Sequence, residues 1–398
     1  MIQQTLFKNV RVFSPTGIYE PGWLLVEGRE IASMGSGTPP ASLATADGKT
    51  IDANGLNLLP GFIDLHVHGA LGQDTMGASP DGLESIGRYL AQHGVTSFLA
   101  ATWTAADEEI DRALQTIRKV YGRIKDGATL LGAYLEGPYL NPNRAGAQAH
   151  EFIRSAADHI TAQQWIDDEM VRVVVLAPEN PENLWLVEDC VRKGITVAAG
   201  HTAASYEEMQ VAVTRGVRHL SHCFNAMGTL HHRQPGVIGA GLTMPELRCE
   251  LIADNIHVHP AVQQILYQAK GPYGMLLVSD CTRTTGLPDG EYDLDSRRVV
   301  VKEDIVRLSD GTLAGSRLAL DQALRNFSAN VRRPLSELWP IVSLTPARAI
   351  GIAHQKGVLE VGHDADLVLL DDALQVKLTM TEGSIAYLAQ ASNLQING

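Results

Sequence analysis

Between residues 59 and 354 the chain alternates short apolar runs with helix-length segments, and this alternation constrains the fold more than any other feature. The runs at 62–66, 97–101, 130–135, 171–176, 196–199, 219–222, 249–253 and 275–279 have strand length and read as buried strands. Segments such as 105–121 and 205–215 carry helical patterning between them. Strands that each lead into a crossover predict an α/β fold, specifically a TIM-like (β/α)8 barrel. The flanks read differently. Short alternating segments at 6–12 and 23–28, the latter leading into a turn at Gly28-Arg29, are matched by strand-like segments at 357–359, 365–370 and 376–380. The two flanks are expected to pair as one small β-sandwich domain built from both chain termini. The expected division is therefore 1–58 and 355–398 for that domain and 59–354 for the barrel.

A barrel of this kind carries its chemistry at the C-terminal ends of its strands, so the residues that follow each run matter most. The first run continues as Leu65-His66-Val67-His68-Gly69. Side chains alternate faces along a strand, so His66 and His68 project the same way. Two imidazoles on one face can grip one metal ion, although such a pair is also compatible with two hydrogen-bonded histidines. Later runs sharpen the choice. The third ends in Glu136-Gly137-Pro138, the fifth in Gly200-His201-Thr202, the sixth in Ser221-His222 and the eighth in Ser279-Asp280-Cys281, while the seventh leads to Asp254 and His257. Taken singly, Glu136 could cap a turn, and His201 or Asp280 could cap a helix. Metal-ligand types at the ends of five strands of one barrel make independent accidents a poor account.

The ligand set is oxygen and nitrogen without sulfur, which suits a catalytic divalent ion such as Zn, Fe or Mn. Glu136, His201 and His222 could hold one ion and leave a position open for water. His66, His68 and Asp280 could hold a second, with Glu136 bridging. One or two ions per subunit are thus expected, zinc first. Cys223 and Cys281 each follow a proposed ligand and are read as core packing.

Composition narrows the partners. The formal charge of −13 argues against nucleic acid or an anionic membrane, and it means that an anionic substrate needs a local positive pocket. The four cysteines are scattered, with no Cys-x-x-Cys, and are expected to be reduced thiols. The opening Met1-Ile2-Gln3-Gln4-Thr5 lacks a signal-peptide pattern and no apolar run reaches membrane-spanning length, which together predict a cytoplasmic protein.

These motifs together resemble the amidohydrolase superfamily and, within it, the N-acetylglucosamine-6-phosphate deacetylase family. The stretches that carry the likeness are Pro60-Gly61-Phe62-Ile63-Asp64-Leu65-His66-Val67-His68-Gly69, Leu135-Glu136-Gly137-Pro138-Tyr139 and His222-Cys223-Phe224-Asn225-Ala226-Met227. They continue through His231-His232-Arg233-Gln234-Pro235-Gly236, Ile252-Ala253-Asp254-Asn255-Ile256-His257-Val258 and Gly311-Thr312-Leu313-Ala314-Gly315-Ser316. The resemblance implies metal-dependent hydrolysis of N-acetyl-D-glucosamine 6-phosphate to D-glucosamine 6-phosphate and acetate. It implies Glu136, His201 and His222 as principal metal ligands, Asp280 as general base and acid, and His257 as a neutral donor beside the scissile amide. Asn225 and Ala226 are implied as contacts to the sugar phosphate, with Arg233 adding charge and Gly137, Gln148 and Leu313 as further substrate-binding positions. A homodimer is also implied, since the arginine equivalent to Arg233 can cross a subunit interface in related enzymes.

The run Ser279-Asp280-Cys281-Thr282-Arg283 departs from the family pattern, and Asn255 stands where glycine is common. The aspartate survives, so the reaction class is kept, but the epimeric N-acetyl-D-galactosamine 6-phosphate becomes the rival substrate. Another amidohydrolase acting on an N-acyl compound is a further alternative. Many of those use a lysine after strand four, and 171–179 contains none.

Overall fold

The computed structural model describes residues 4–43, 48–294, 297–390 and 394–397. Eight parallel strands form the central sheet: β1 (Phe62–Val67), β2 (Val95–Ala101), β3 (Thr129–Glu136), β4 (Val171–Leu176), β5 (Thr196–Ala199), β6 (Val217–Leu220), β7 (Arg248–Leu251) and β8 (Met275–Leu277). They neighbour one another in chain order. Backbone contacts from His68 N to Cys281 O and from Asp280 N to His66 O, both 2.9 Å, bring the first and last strands together and close the barrel. Strands buried on both faces should be apolar almost throughout. That holds for β2 and β4, whose residues are buried with the single exception of the half-buried Arg172.

The crossover helices carry ordinary end signals. Helix Asp107–Val120 opens on Asp107, Glu108 and Glu109 and closes on Arg118 and Lys119, which complements its dipole. Helix Tyr206–Arg215 begins with a reciprocal capping box between Ser205 and Glu208.

Both flanks of the chain contribute to one further sheet. Its strands run in the order Ser384–Leu388, Val376–Thr381, Leu367–Leu370, Asn57–Pro60, Gln4–Ser14, Gly17–Glu27 and Glu30–Ser36. The sheet forks at Gln4–Ser14. The first half of that strand pairs with Lys49–Asp52 and the second half with Asn57–Pro60. The fork gives the sandwich-like arrangement its own core of Phe7, Val12, Leu24, Ile51, Leu58, Leu369, Leu378 and neighbours. The segment 357–359 is not a strand. Gly357 sits at φ +92°, a left-handed backbone incompatible with strand pairing, and the chain bends there instead. Lys356 beside it is buried, with Nζ 2.7 Å from Asp366, 2.8 Å from Asp364 and 3.3 Å from Glu382. Arg29 adds a second cation on Asp364 at 2.9 Å. No helix is long and apolar enough to cross a membrane among the described residues. Cys190, Cys223, Cys249 and Cys281 are free and buried.

Candidate metal centre

Six side chains from five strand ends meet at the barrel mouth. Glu136, at the end of β3, lies at their centre. Its Oε1 is 3.0 Å from His222 Nε2, 3.3 Å from His201 Nε2 and 3.6 Å from His66 Nε2, and its Oε2 is 3.5 Å from His68 Nε2. Asp280 Oδ1 stands 3.2 Å from His68 Nε2 and 3.6 Å from His66 Nε2. Two clusters result, Glu136–His201–His222 and His66–His68–Asp280, each with its ligand atoms within 4.8 Å of one another, and all six residues are buried.

β6, β7 and β8 end earlier than the sequence pattern suggests, and three of the candidate ligands are delivered by turns. β6 stops at Leu220 and β8 at Leu277, so His222 and Asp280 lie beyond the hydrogen-bonded ladder. His201, His222 and Asp280 all adopt positive φ, at 46°, 29° and 49°. Non-glycine residues seldom do so. At each of these three strand ends a left-handed residue carries a ligand side chain.

The residues fit a cation on their own chemistry. His201 Nδ1 sits 2.9 Å from the Arg144 carbonyl, so it carries the proton there and leaves the Nε2 lone pair turned toward Glu136 and His222. Two imidazole Nε2 atoms only 3.1 Å apart, facing a carboxylate in a buried site, need either protons or a cation between them. The electrostatics agree. Burial alone would raise the Glu136 carboxyl, but His66, His201 and His222 hold it well below the usual range. Burial likewise opposes charge on His222, yet Glu136 pushes it up to about 9. Gln148 donates to Glu136 Oε2 at 2.6 Å and accepts from Thr104 N at 2.7 Å, which fixes the carboxylate plane.

The clusters floor a cavity of about 290 Å3, lined also by Trp103, Asn225, Ala226, His257, Leu313 and Arg297. His257 is oriented by Asp254, whose Oδ2 is 2.6 Å from Nδ1 while Oδ1 accepts from the His257 backbone N–H at 2.8 Å. That contact fixes the ring and leaves Nε2 for the cavity that His257 lines. Two other expected residues stand apart from the lining. Arg233 is exposed, and its guanidinium lies 2.7 Å from His232 Nε2. Gly137 adopts φ +80°, and a Cβ there would meet Thr104 Oγ1 at 2.2 Å, so the position beside Glu136 suits glycine.

Sequence reasoning missed the layer beneath. Glu250 on β7 is fully buried, accepts from Tyr134 Oη at 2.9 Å, and lies 3.5 Å from His66 Nδ1 and 3.9 Å from His219 Nδ1. A carboxylate inside the apolar run Cys249-Glu250-Leu251-Ile252 was the available signal, because acidic residues are rarely buried without a partner. Asp64 on β1 is likewise buried and accepts from the backbone N–H groups of His66 and Ser279 at 3.3 and 3.2 Å.

Fold and site together define a metal-dependent hydrolase of the barrel type, and the chain belongs to the amidohydrolase family, which matches residues 57–394. Among its relatives is an N-acetylglucosamine-6-phosphate deacetylase from Vibrio furnissii, 40% identical over 342 residues and 85% of each chain. An N-acetylgalactosamine-6-phosphate deacetylase from Escherichia coli O157:H7 is 37% identical over 83% of this chain and 87% of its own. The crystal structure of an N-acetylglucosamine-6-phosphate deacetylase from Thermotoga maritima superposes with a TM-score of 0.86 at 31% identity, covering 96% of this chain and all of that one.

Proposed function

We propose that this chain hydrolyses the acetamide of N-acetyl-D-glucosamine 6-phosphate, releasing acetate and D-glucosamine 6-phosphate. The observation that carries the reading is the convergence of Glu136, His201 and His222 with Asp280 across one cavity, in a chain whose relatives bear that activity. Glu136, His201 and His222 would hold the first ion, and His66, His68 and Asp280 a second. A divalent ion in such a site supplies Lewis acidity to the carbonyl oxygen and lowers the pKa of water from 15.7 to about 7.

The chain's own residues do the rest. Despite burial, which would raise it, Asp280 is held below the ordinary carboxylate range by His66 and His68, so it stands ionised and ready to accept a proton. It takes one from the attacking water as the new C–O bond forms. It returns that proton to nitrogen as the C–N bond breaks, and the water's second proton leaves the new carboxyl group for the amine, so acetate and an ammonium are released. His257, oriented by Asp254, would donate from Nε2 to the oxygen on which negative charge develops. One such donor is typically worth about 2.7–4 kcal/mol of barrier. Trp103 and Leu313 give the cavity an apolar wall suited to the acetyl methyl. Asn225 and Ala226 line the same cavity and would contact the sugar phosphate.

The reading carries finer assignments with it: zinc as first choice over iron or manganese, a cytoplasmic homodimer in which Arg233 reaches a partner's site, and functional units at 1–58 with 355–398 and at 59–354. A second reading, the galacto epimer, is favoured by the relative from Escherichia coli O157:H7. Acetate release from both epimeric sugar phosphates separates them: equal or reversed preference defeats the first choice. Asp280→Asn should keep metal at the Glu136 cluster and lose most turnover. Normal hydrolysis by that variant would overturn the proton-shuttle assignment.

A further inference from the structure

The cavity over the two clusters holds about 290 Å3, at the small end of the roughly 300–1,000 Å3 usual for ligand sites. Its bulkiest lining side chain is Trp103, and no other tryptophan, phenylalanine or tyrosine lines it among the described residues. Trp103 stands two residues beyond the end of β2 and is only 5% exposed.

The indole is held where it stands. On one side the Thr102 N–H donates to the Tyr134 carbonyl at 3.0 Å. On the other the Thr104 N–H donates to Gln148 Oε1 at 2.7 Å, and Gln148 in turn holds Glu136. Thr102 and Thr104 are themselves buried, and Trp103 belongs to the barrel's hydrophobic core. Its ring lies 5.8 Å from the His68 ring, and His68 Nε2 is 3.2 Å from Asp280 Oδ1. A pinned apolar surface thus stands beside the cluster that contains the proton acceptor.

Strand order says which end of a substrate meets that surface. The eight strands neighbour one another in chain order and the first closes on the last, so β2 and β6 stand opposite each other across the ring. Asn225 and Ala226 follow β6, while His257 and Asp280 follow β7 and β8. On the deacetylase reading the phosphate lies toward Asn225 and Ala226. In such a sugar the amide leaves C2 and the phosphate arm leaves C5, which are para positions of the pyranose ring. A substrate that enters from the β6 side and presents its amide to Asp280 therefore points its acyl chain toward β2.

Resting on that reading, we infer that Trp103 is the residue that limits the acyl group to acetyl. A methyl fits against the indole. Each further methylene has to displace a ring whose backbone is fixed on both sides, and overpacking a wall that cannot yield is costly. Trp103 is thus a specificity-determining residue for acyl chain length and takes no part in the bond changes.

The test compares wild type with Trp103→Phe, Trp103→Leu and Trp103→Ala, each loaded with metal and checked for metal content and melting temperature. Release of the amine product is followed from the N-acetyl, N-propionyl and N-butyryl forms of D-glucosamine 6-phosphate, or from the galacto series if wild type prefers that epimer. One methylene in an apolar pocket is worth about 10- to 200-fold in kcat/KM. Wild type should lose that much from acetyl to propionyl and more to butyryl. Trp103→Leu and Trp103→Ala should shrink the acetyl-to-butyryl ratio by about tenfold or more, while Trp103→Phe, which keeps a ring, stays closest to wild type. A ratio taken within one preparation does not depend on the fraction of folded enzyme, so a merely structural role leaves it unmoved. Wild type that hydrolyses butyryl as well as acetyl, or an unchanged ratio in both Trp103→Leu and Trp103→Ala, overturns the assignment. If Trp103→Ala melts far below wild type, Trp103→Leu decides by the same ratio. Failure of the deacetylase reading looks different: wild type then releases no amine from the acetyl substrate of either epimer, and the chain-length assignment falls with it.

Discussion

Replacing Glu250 by glutamine should weaken metal binding at one cluster and spare the other. Glu250 is fully buried on β7, below the ligands, and its Oε2 lies 3.5 Å from His66 Nδ1. Burial would raise this carboxyl, but His219 and His66 hold it down to about 2, so it is an anion at any working pH. Facing Nδ1, that anion keeps the proton there and presents the His66 Nε2 lone pair to the site. Glutamine preserves the volume and the Tyr134 contact but removes the charge that fixes the tautomer. Replacing such a supporting partner typically costs 10- to 100-fold in metal affinity, or about 1.4–2.8 kcal/mol. His66 serves only the His66–His68–Asp280 cluster as a principal ligand. His201 keeps its 2.9 Å bond to the Arg144 carbonyl, and Glu136 its 2.6 Å bond from Gln148. Metal stoichiometry during chelator competition should therefore show one weakened site and one of wild-type affinity. Tyr134→Phe is the control, because it removes only a neutral hydroxyl from the same carboxylate at 2.9 Å. It should lower stability by about 1 kcal/mol and leave both sites intact. Unchanged affinity at both clusters in Glu250→Gln, or a loss confined to Glu136–His201–His222, would refute the reasoning.

Lys356→Met should destabilise the terminal sheet by about 3–5 kcal/mol, since it strands Asp366 as a buried charge and leaves Asp364 to Arg29 alone. Burial pushes Asp364 up, but Arg29 and Lys356 hold it below its ordinary 3.8, so its contribution is complete above that value and fades as pH falls through the lower folded one. The gap in melting temperature between variant and wild type should narrow in acid below about pH 4, and a constant gap would show that the carboxylates are not its cause. Metal uptake should release protons, because a His222 raised to about 9 must lose its proton to ligate. Apparent metal affinity should then rise with pH until about 9, which titrations in buffers of different ionisation enthalpy check, and removing the metal should lower the melting temperature.

The barrel was legible because strands buried on both faces leave apolar runs, and β4 and β5 occupy 171–176 and 196–199 as read. The six candidate ligands were legible because His, Glu and Asp at the ends of such runs are chemically conspicuous. The supporting layer was not. Glu250, Tyr134 and Asp64 sit within strands, where one polar residue among apolar ones does not say which neighbour it will meet across the barrel. Arg233 and Gly137 show the converse. A motif identifies positions, while the exposed guanidinium and the φ of +80° belong to local geometry that the motif does not describe.

The positive φ angles at His201, His222 and Asp280 bear on how such a centre is held. A left-handed backbone costs a non-glycine residue roughly 1–2 kcal/mol, and glycine would relieve it at each position. Glycine, however, has no donor to offer. Parallel strands of a closed barrel point their ends past the rim, and a residue that simply continued a strand would carry its side chain alternately into the barrel or out toward the helices. Reversing the sign of φ for one residue departs from that alternation. Such strained sites persist where the surroundings over-determine them, and here the flanking backbone is pinned. Asp280 N bonds to His66 O at 2.9 Å, Asp280 O accepts from Ser316 N at 2.8 Å, and Cys223 N bonds to Glu250 O at 2.8 Å. Glu250 thus acts on both sides of the problem. Its carboxylate supports His66, and its carbonyl clamps the turn that delivers His222, so the same strand position anchors one ligand from each cluster.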